Sequence, residues 1–463
     1  MVTTLPKRKI YRYCLSDIAK GLFNGMIANY LLYFFQPTSK SGLPNLLPEN
    51  KIFGFITIMA LITAFGKIID AVSDPLVANI SDRYNSPKGR RMPFMQMAAI
   101  PYALSVLLIF FAPFKEQSYL NAIWVALFLT IYYISYTFYF IPKNALVPEI
   151  ISDAKYRVNY YGISTAFFMG SSSFMYTATL FVDILKKQGF SSLWSWRIVF
   201  LIFAIIGLIC LLLSAYAFDE RTYVQASNKP QESIIKSFEI MFNNKNFLTF
   251  TLGDLCSGIS TAFFQASMLY YITVLLNVKE SQSFIVMLCA IAVALCLFPI
   301  VIKNAKKFGK KTMLMVAEVI FTIVYCFIYV GDVVVSYFPG NELYIGLLMG
   351  IVVAFPFAAI NILPQSVVSD IIQKDSIENG VNREGMFSAV KTFIEKIASA
   401  IALMCVSSVL AIGAINNEAV SLTGVKMTGA IAMLFSLLSL FFYYRYKEKE
   451  VLKVIEKRGV NNE

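Results

Sequence analysis

Three ionisable side chains lie close together within one strongly apolar stretch of the sequence. Lys67, Asp70 and Asp74 are spaced three and four residues apart, so on a helix they share one face. Ionisable groups at membrane depth are costly and mark ion or substrate sites. Because two carboxylates exceed one lysine, the site keeps a net negative charge that favours a bound ligand. The alternative is a structural salt bridge in which Lys67 holds the helix in its bundle.

The sequence gives little sign of catalytic or metal-binding chemistry. It contains no histidine, so any proton-linked step must use carboxylates. All seven cysteines fall inside apolar runs without metal-type spacing, which indicates small core residues. We find no paired nucleophile and base, phosphate loop or metal cluster, so we predict no enzyme activity and no cofactor. A membrane-embedded receptor or enzyme is the distant alternative.

The composition places these residues in a bilayer. Of 463 residues, 57% are hydrophobic and only 15% are charged, with a mean hydropathy of +0.64, which is too apolar for an ordinary soluble domain. The net charge of +12 comes from lysines and arginines in short loops between apolar runs, which argues against nucleic-acid binding. The first run begins near Ile10 without a cleavage signal before it, so we expect it to be retained.

The elements that must position the charged residues are membrane helices. Apolar runs of about 20 residues are long enough to span a bilayer. We predict twelve such spans, near residues 10–35, 51–80, 93–113, 119–147, 159–185, 194–217, 246–276, 283–303, 312–337, 341–372, 385–413 and 423–444.

The loops assign an orientation to these spans. An even number puts both termini on one side, and that side carries most of the loop lysines and arginines, so both termini are predicted to be cytoplasmic in the cell membrane. The basic turns 83–91 and 303–311 are predicted to be topology determinants and cytoplasmic gate contacts. The predicted gate residues are Asp82, Arg83, Arg90, Arg91 and Arg383.

The chain divides into two similar halves. The longest polar connection, 219–245, separates a predicted six-helix bundle at 1–218 from a second at 246–463, which ends in a short cytoplasmic tail. The basic turn after the second span is echoed after the eighth, and Pro148–Asp153 after the fourth span is echoed by Ser366–Asp370 after the tenth. Parallel halves predict an all-α integral membrane protein with the major facilitator fold and a substrate site near the midplane.

Four stretches resemble the glycoside-pentoside-hexuronide:cation symporters, the melibiose permease-like family of the major facilitator superfamily. Residues 70–75, followed by Asp82-Arg83 and 89–93, resemble the signature of the family's second helix. Residues 11–35 are similar to its first helix, 141–149 to the end of its fourth, and 382–396 to its eleventh helix and the connection before it. The likeness runs from near the N-terminus to about residue 413.

The resemblance implies a site for the coupling ion. In that family the two carboxylates at the positions of Asp70 and Asp74 bind Na⁺, Li⁺ or H⁺. Ser73 and Thr137 stand at neighbouring polar positions and would add oxygen ligands. Lys396 matches a lysine of the family's eleventh helix and would balance the charge of the acids.

The sugar-contacting positions differ from the melibiose permease pattern. Where that pattern has two aspartates, a tryptophan and an arginine, this chain has Gly21, Phe140, Asn144 and Thr165. The galactoside-binding set is therefore absent. A lysolipid or other amphiphile is the alternative solute that this difference favours.

Several further residues are candidates for substrate contact. Asp17 and Lys20 could bind substrate or neutralise each other, and Lys143 could instead extend its ammonium toward the cytoplasmic face. Asp254 is the one carboxylate of its span, and Lys391 could pair with Glu395 one turn away. The remaining candidates are Tyr139 and Phe140 for stacking and Asn144 for hydrogen bonding.

We therefore predict a secondary transporter, a symporter that couples a sugar or glycoside-type solute to Na⁺ or H⁺ by alternating access. The excess of membrane lysines favours an anionic solute such as a hexuronide. The expected partners are the solute, a monovalent cation and the lipid bilayer, and the expected oligomeric state is a monomer.

Overall fold

The computed structural model describes residues 6–38, 41–48, 56–84, 86–87, 89–151, 154–223, 244–379, 384–414 and 419–460. Nearly all of this part of the chain is helical. It forms twelve long helices, some of them interrupted, that follow the predicted spans. We number them α1 (Lys7–Gly25, continued to Phe35), α2 (Ile58–Arg83), α3 (Met92–Ile109), α4 (Tyr119–Ile150), α5 (Ala154–Phe174, continued to Lys187), α6 (Ser192–Ala215), α7 (Lys245–Tyr270, continued to Leu275), α8 (Glu280–Phe308), α9 (Lys310–Tyr337), α10 (Glu342–Asn379), α11 (Glu384–Leu410) and α12 (Leu422–Arg445). A final helix, α13 (Glu448–Val460), follows α12.

Three of these long helices contain a turn that is not α-helical. A π-helical turn at Met26–Tyr30 interrupts α1, another at Tyr271–Leu275 ends α7, and a 3₁₀ turn at Met175–Thr177 interrupts α5. The first two turns occupy corresponding positions, in the first helix of each predicted half. Such local changes of winding are frequent at functional sites and hinges.

Nine helices within the described residues are long and apolar enough to cross a membrane. They include α3, α4 and α6 to α12. The other three long helices are α1, α2 and α5. Helix α2 carries the charged residues Lys67, Asp70 and Asp74, and α1 and α5 are interrupted by the turns just described. The predicted twelve-helix membrane fold is confirmed.

The chain separates into two compact units, Met1–Lys229 with Ala411–Ser421 and Pro230–Leu410 with Leu422–Glu463. Much of the predicted connection lies outside the described residues, so its boundaries at 219 and 245 stay predictions. The first unit holds α1–α6 and the second holds α7–α13.

Each unit has its own packed core. In the first, the ring of Trp196 on α6 lies 5.0 Å from that of Tyr30 on α1, and Phe200 lies 4.1 Å from Phe110, centroid to centroid. In the second, Phe250 of α7 packs on Tyr443 of α12 at 5.6 Å, and Phe321 stacks on Tyr325 within α9. Side-chain packing of this kind holds membrane helices together, because lipid supplies no hydrophobic drive for helix association.

Candidate functional site

The two acids of α2 face α4 through a pair of hydroxyl groups. Ser73 Oγ lies 3.0 Å from Thr137 Oγ1 of α4, and that hydroxyl donates to Asp74 Oδ1 at 3.1 Å. Ser73 Oγ also lies 3.2 Å from the backbone oxygen of Asp70. Asp70 is 3% exposed, and Thr137 is fully buried. The structure therefore brings together Ser73, Thr137 and the Asp74 carboxylate, with the Asp70 backbone oxygen beside Ser73.

Lys67 sits at the edge of this cluster. Its Nζ lies 3.9 Å from Asp70 Oδ2, which is a long contact for an ion pair, and 4.8 Å from the centre of the Tyr133 ring. The lysine is shared between a carboxylate and an aromatic face. Two carboxylates and two hydroxyls offer hard oxygen ligands, the type that small hard cations take. No group of three or more His, Cys, Asp or Glu side chains suited to a metal occurs in the described residues.

A second polar cluster joins α1, α4 and α5. Lys143 Nζ lies 2.7 Å from Asp17 Oδ1, and Ser164 Oγ donates to Asp17 Oδ2 at 2.6 Å. The lysine side chain is fully buried and that of Asp17 is 6% exposed. The alternative in which Lys143 extends toward the cytoplasmic face does not hold, because its ammonium is paired with Asp17 inside the bundle. Sequence reasoning missed Ser164, since nothing in the sequence links it to a residue 147 positions away.

Lys20 lies one turn from Asp17 among aromatic rings. Its Nζ is 5.3 Å from the centres of Phe140 and Phe168 and 5.8 Å from that of Tyr136. An ammonium held over several ring faces keeps its charge while the rings replace part of its hydration. Phe140, a predicted stacking residue, is one of the three rings.

Two other candidates on α4 have different surroundings. Tyr139 is fully buried, and its hydroxyl donates to the backbone oxygen of Leu211 on α6 at 2.8 Å. This hydrogen bond holds the Tyr139 side chain in the contact between α4 and α6. Asn144 is exposed on the helix.

In the second unit, the charged residues of α7 and α11 line a polar cavity. Lys391 Nζ lies 3.5 Å from Asp254 Oδ2 and also bonds Glu395 Oε1. The lysine therefore bridges the acid of α7 and the acid one turn along its own helix, so the predicted Lys391–Glu395 pair forms. The cavity has a volume of about 380 Å³ and is lined by Asp254, Gly258, Thr261, Ile360, Asn361, Pro364, Gln365, Lys391 and Glu395. Its size falls in the range of small-molecule sites.

Two residues of the second unit complete the survey of candidates. Lys396 is partly buried on α11, and its predicted balance with the acids of α2 stays a prediction. Glu318 of α9 is fully buried and was missed by sequence reasoning. The signal was present, because a carboxylate in an apolar span is a functional candidate by default.

The basic turn before α3 is closed by an acid that follows α6. Glu220 accepts hydrogen bonds from the backbone N–H groups of Arg90, Arg91 and Met92, each at 2.9 Å. Gly89 has a φ of 108° and lies against the Glu220 carboxylate, so a side chain there meets both strain and a clash. The guanidinium of Arg91 in turn bonds the backbone oxygen of Ala145 on α4.

The second unit repeats this arrangement before α9. Glu448, after α12, accepts from the backbone N–H of Lys310 at 2.8 Å and of Lys311 at 3.3 Å. Gly309 has a φ of 91°. Lys310 Nζ pairs with Asp370 of α10 at 2.6 Å, within the predicted echo of the α4 end. The repeat seen in the sequence therefore corresponds to matching hydrogen bonds.

The other predicted gate residues contribute less to this picture. Asp82 and Arg83 end α2, but their side chains lie outside the described part of the structure. Arg383 lies outside the described residues altogether. The cytoplasmic gate therefore stays a prediction. Of its predicted residues, Arg90 and Arg91 lie at the turn whose backbone N–H groups bond Glu220.

Helical bundles with charged residues inside them are typical of membrane transporters. The model of the family described as MFS/sugar transport protein matches residues 12–449, and the chain belongs to that family. This confirms the resemblance drawn from the α2 signature, and it separates the protein from enzymes.

Curated relatives agree over nearly the whole chain. A protein of Escherichia coli (strain K12) named "Putative sulfoquinovose importer" is 26% identical over 97% of this chain and 93% of its own length. The isoprimeverose transporter of Lactiplantibacillus pentosus is 21% identical over 85% of this chain and 77% of its own length.

Solved structures share the fold at low identity. A D-xylose-proton symporter superposes with a TM-score of 0.66 at 13% identity, covering 96% of this chain and 98% of that one. The nucleoside transporter NupG gives a TM-score of 0.64 at 12% identity, covering 97% of this chain and 100% of that one.

Proposed function

We propose that this protein is a cation-coupled symporter that carries a sugar-type solute across the cell membrane by alternating access. The observation that carries the proposal is the cluster of oxygen ligands between α2 and α4. Ser73, Thr137 and the Asp74 carboxylate converge there, and Asp70 contributes its backbone oxygen to the same hydrogen-bonded group. Carboxylate and hydroxyl oxygens are the ligands that small hard cations take, and carboxylates at membrane depth mark ion sites.

The coupling ion in this proposal is Na⁺ or H⁺, with Li⁺ as a third candidate. Coupling requires that the ion bind more tightly to the state that binds solute, and the solute must then favour ion binding by the same factor. Thr137 ties Ser73 and the Asp74 carboxylate to α4. A change at the ion site therefore has a direct path to a second helix.

The solute that we propose is an anionic sugar, either a carboxylate such as a hexuronide or a sulfonate. Lys20 supports this class, since its ammonium lies over Phe140, Phe168 and Tyr136 in the same unit as the cation site. An ammonium flanked by ring faces can bind an acidic group while the rings contact the apolar face of a sugar. The Escherichia coli relative is named for sulfoquinovose, a sulfonated sugar. The names of the relatives favour sugars over a lysolipid.

Uptake into proteoliposomes tests both parts of the proposal. Labelled sulfoquinovose, glucuronate and a neutral glycoside are supplied with and without a Na⁺ gradient at two pH values. We expect gradient-driven accumulation of an anionic sugar, and its loss in Asp70→Asn and Asp74→Asn. Asp183→Asn is the matched control, because Asp183 pairs with Lys187 near the end of α5, where the lysine is 76% exposed.

Two results would contradict the proposal. Normal uphill accumulation by both α2 variants would remove the cation site. Equal transport of neutral and acidic sugars, unaffected by Lys20→Met, would remove the anionic solute while leaving the symporter.

The orientation remains part of the proposal. The clustering of lysine and arginine on one side supports cytoplasmic termini. The closed turns at Arg90 and Lys310 lie on that same side in the predicted topology.

A further inference from the structure

One carboxylate in the second unit takes no part in the proposed cation site. Glu318 lies about two turns into α9, within a helix that is apolar enough to span the membrane, and is fully buried. Within the described residues it forms no ion pair. Its acceptors are satisfied from α12, where Ser436 Oγ donates to Oε2 at 2.6 Å and Ser439 Oγ to Oε1 at 3.3 Å.

Two further hydroxyls adjoin the same carboxyl group. Ser257 of α7 and Tyr443 of α12 are fully buried and lie next to Glu318. Neither hydroxyl oxygen has a hydrogen-bond partner at normal distance within the described structure. Buried hydroxyls are rarely left without a partner, so these two groups are available to rearrange when the charge on the carboxyl changes.

The groups that face Glu318 set its electrostatic environment. Asp254 of α7 acts on it as a second negative charge, and Cys256, Tyr325 and Tyr443 are neutral neighbours. Asp254 is paired with Lys391 and lines the cavity. No lysine or arginine among the described residues forms a salt bridge with Glu318, so an ionised carboxylate there lacks a counter-ion.

A metal ion fits this arrangement poorly. The serine oxygen and carboxylate oxygen that approach to 2.6 Å are in direct hydrogen-bonding contact, which is a normal distance for a hydroxyl and a carboxylate. No cation can lie between those two atoms. A proton needs no such space, and its binding removes the cost of a buried charge.

We propose that Glu318 is a proton-binding site of the second unit, separate from the acids of α2. The carboxylate takes up one proton and becomes a neutral acid, and its hydroxyl can donate to one of the neighbouring oxygens. Tyr443 adjoins both Glu318 and Asp254, and Ser257 adjoins Glu318. Together with Asp254 they provide a polar path from the cavity to the buried acid.

Infrared difference spectroscopy of the purified protein tests this proposal directly. Spectra are taken between about pH 5 and about pH 9, the range in which a shifted carboxyl group can titrate. We expect a protonated-carboxyl band that disappears at alkaline pH and is missing in Glu318→Gln. The band is retained in Glu280→Gln, a control at the start of α8.

The measurement does not depend on transport, so its failure is distinguishable from failure of the proposed function. Identical difference spectra for the parent protein and Glu318→Gln would overturn the proposal, since the carboxyl would then be permanently charged or permanently neutral.

A second variant covers the case in which Glu318→Gln does not fold. Ser436→Ala removes the donor at 2.6 Å while keeping the acid. Because a donated hydrogen bond stabilises the carboxylate, we expect the midpoint of the band to move to higher pH. An unchanged midpoint in a folded Ser436→Ala protein would also count against the proposal.

Discussion

The two units each hold an aspartate–lysine pair between helices, yet the pairs differ in access. In the first unit, Lys143 and Asp17 are buried, and Ser164 satisfies the second carboxylate oxygen. In the second unit, Lys391 and Asp254 are each 10% exposed and face a cavity of about 380 Å³. The same residue types are therefore enclosed within one bundle and reachable from a cavity in the other.

This difference separates structural pairs from binding pairs. A buried pair contributes to stability chiefly because either charge alone is so costly. A pair that lines a cavity can exchange partners with a solute at much lower cost. The sequence ranks Asp17, Lys143, Asp254 and Lys391 together as candidates, and the cavity beside Asp254 and Lys391 tells the two pairs apart.

The largest expected effect comes from breaking the enclosed pair. Lys143→Met leaves Asp17 charged and uncompensated, and we expect the free energy of unfolding to fall by about 3–5 kcal/mol. Unfolding in mixed micelles measures it. The double variant Asp17→Asn with Lys143→Met should recover most of the loss, and Lys187→Met should change little, as its side chain is 76% exposed. Parent-like stability of Lys143→Met would mean that the pair is not structural.

The pair at the cavity should show the opposite balance. Lys391→Met removes a charge-assisted contact worth about 1.5–3 kcal/mol, so we expect solute uptake to fall about tenfold or more. Stability should fall less than in Lys143→Met, because the cavity admits water to Asp254. Lys374→Met, which breaks a one-turn pair with Glu378 on α10, is the control. Equal destabilisation by the Lys391 and Lys143 variants would erase the distinction.

The smallest effect should come from the hydroxyl that completes the enclosed pair. Ser164→Ala removes one donor to Asp17, and we expect a loss of about 1–3 kcal/mol in stability with the ion pair intact. Ser173→Ala is the matched control, because that hydroxyl bonds only the backbone of its own helix. A loss no larger than the control's would show that Lys143 alone satisfies the acid.

The sequence was sufficient for the fold and for the part of the site that lies on one helix. Spans follow from apolar length, and Asp70 and Asp74 share a face because their spacing is one turn. Ser73 and Thr137 came from the family resemblance, and the structure places them in contact.

Long-range partners could not be predicted in the same way. Asp17 pairs with a lysine 126 residues away, and the alternative interpretation of Lys143 failed because snorkelling depends on depth, which spacing does not encode. The acids that close the basic turns were also missed. Glu220 and Glu448 lie in polar segments after α6 and α12, where nothing local distinguishes them from ordinary loop charges.

In each bundle, the acid that closes the basic turn is synthesised after all of the long helices of that bundle. The backbone N–H groups at Arg90 and Lys310 find their acceptors only once the ribosome has added Glu220 and Glu448, beyond the last long helix of each unit. Domains generally fold as units from the N-terminus, and α1–α6 with Glu220 are all synthesised before α7. A chain that stops at Arg445 would still contain twelve long helices, but the turn before α9 would lack the carboxylate that accepts its backbone N–H groups.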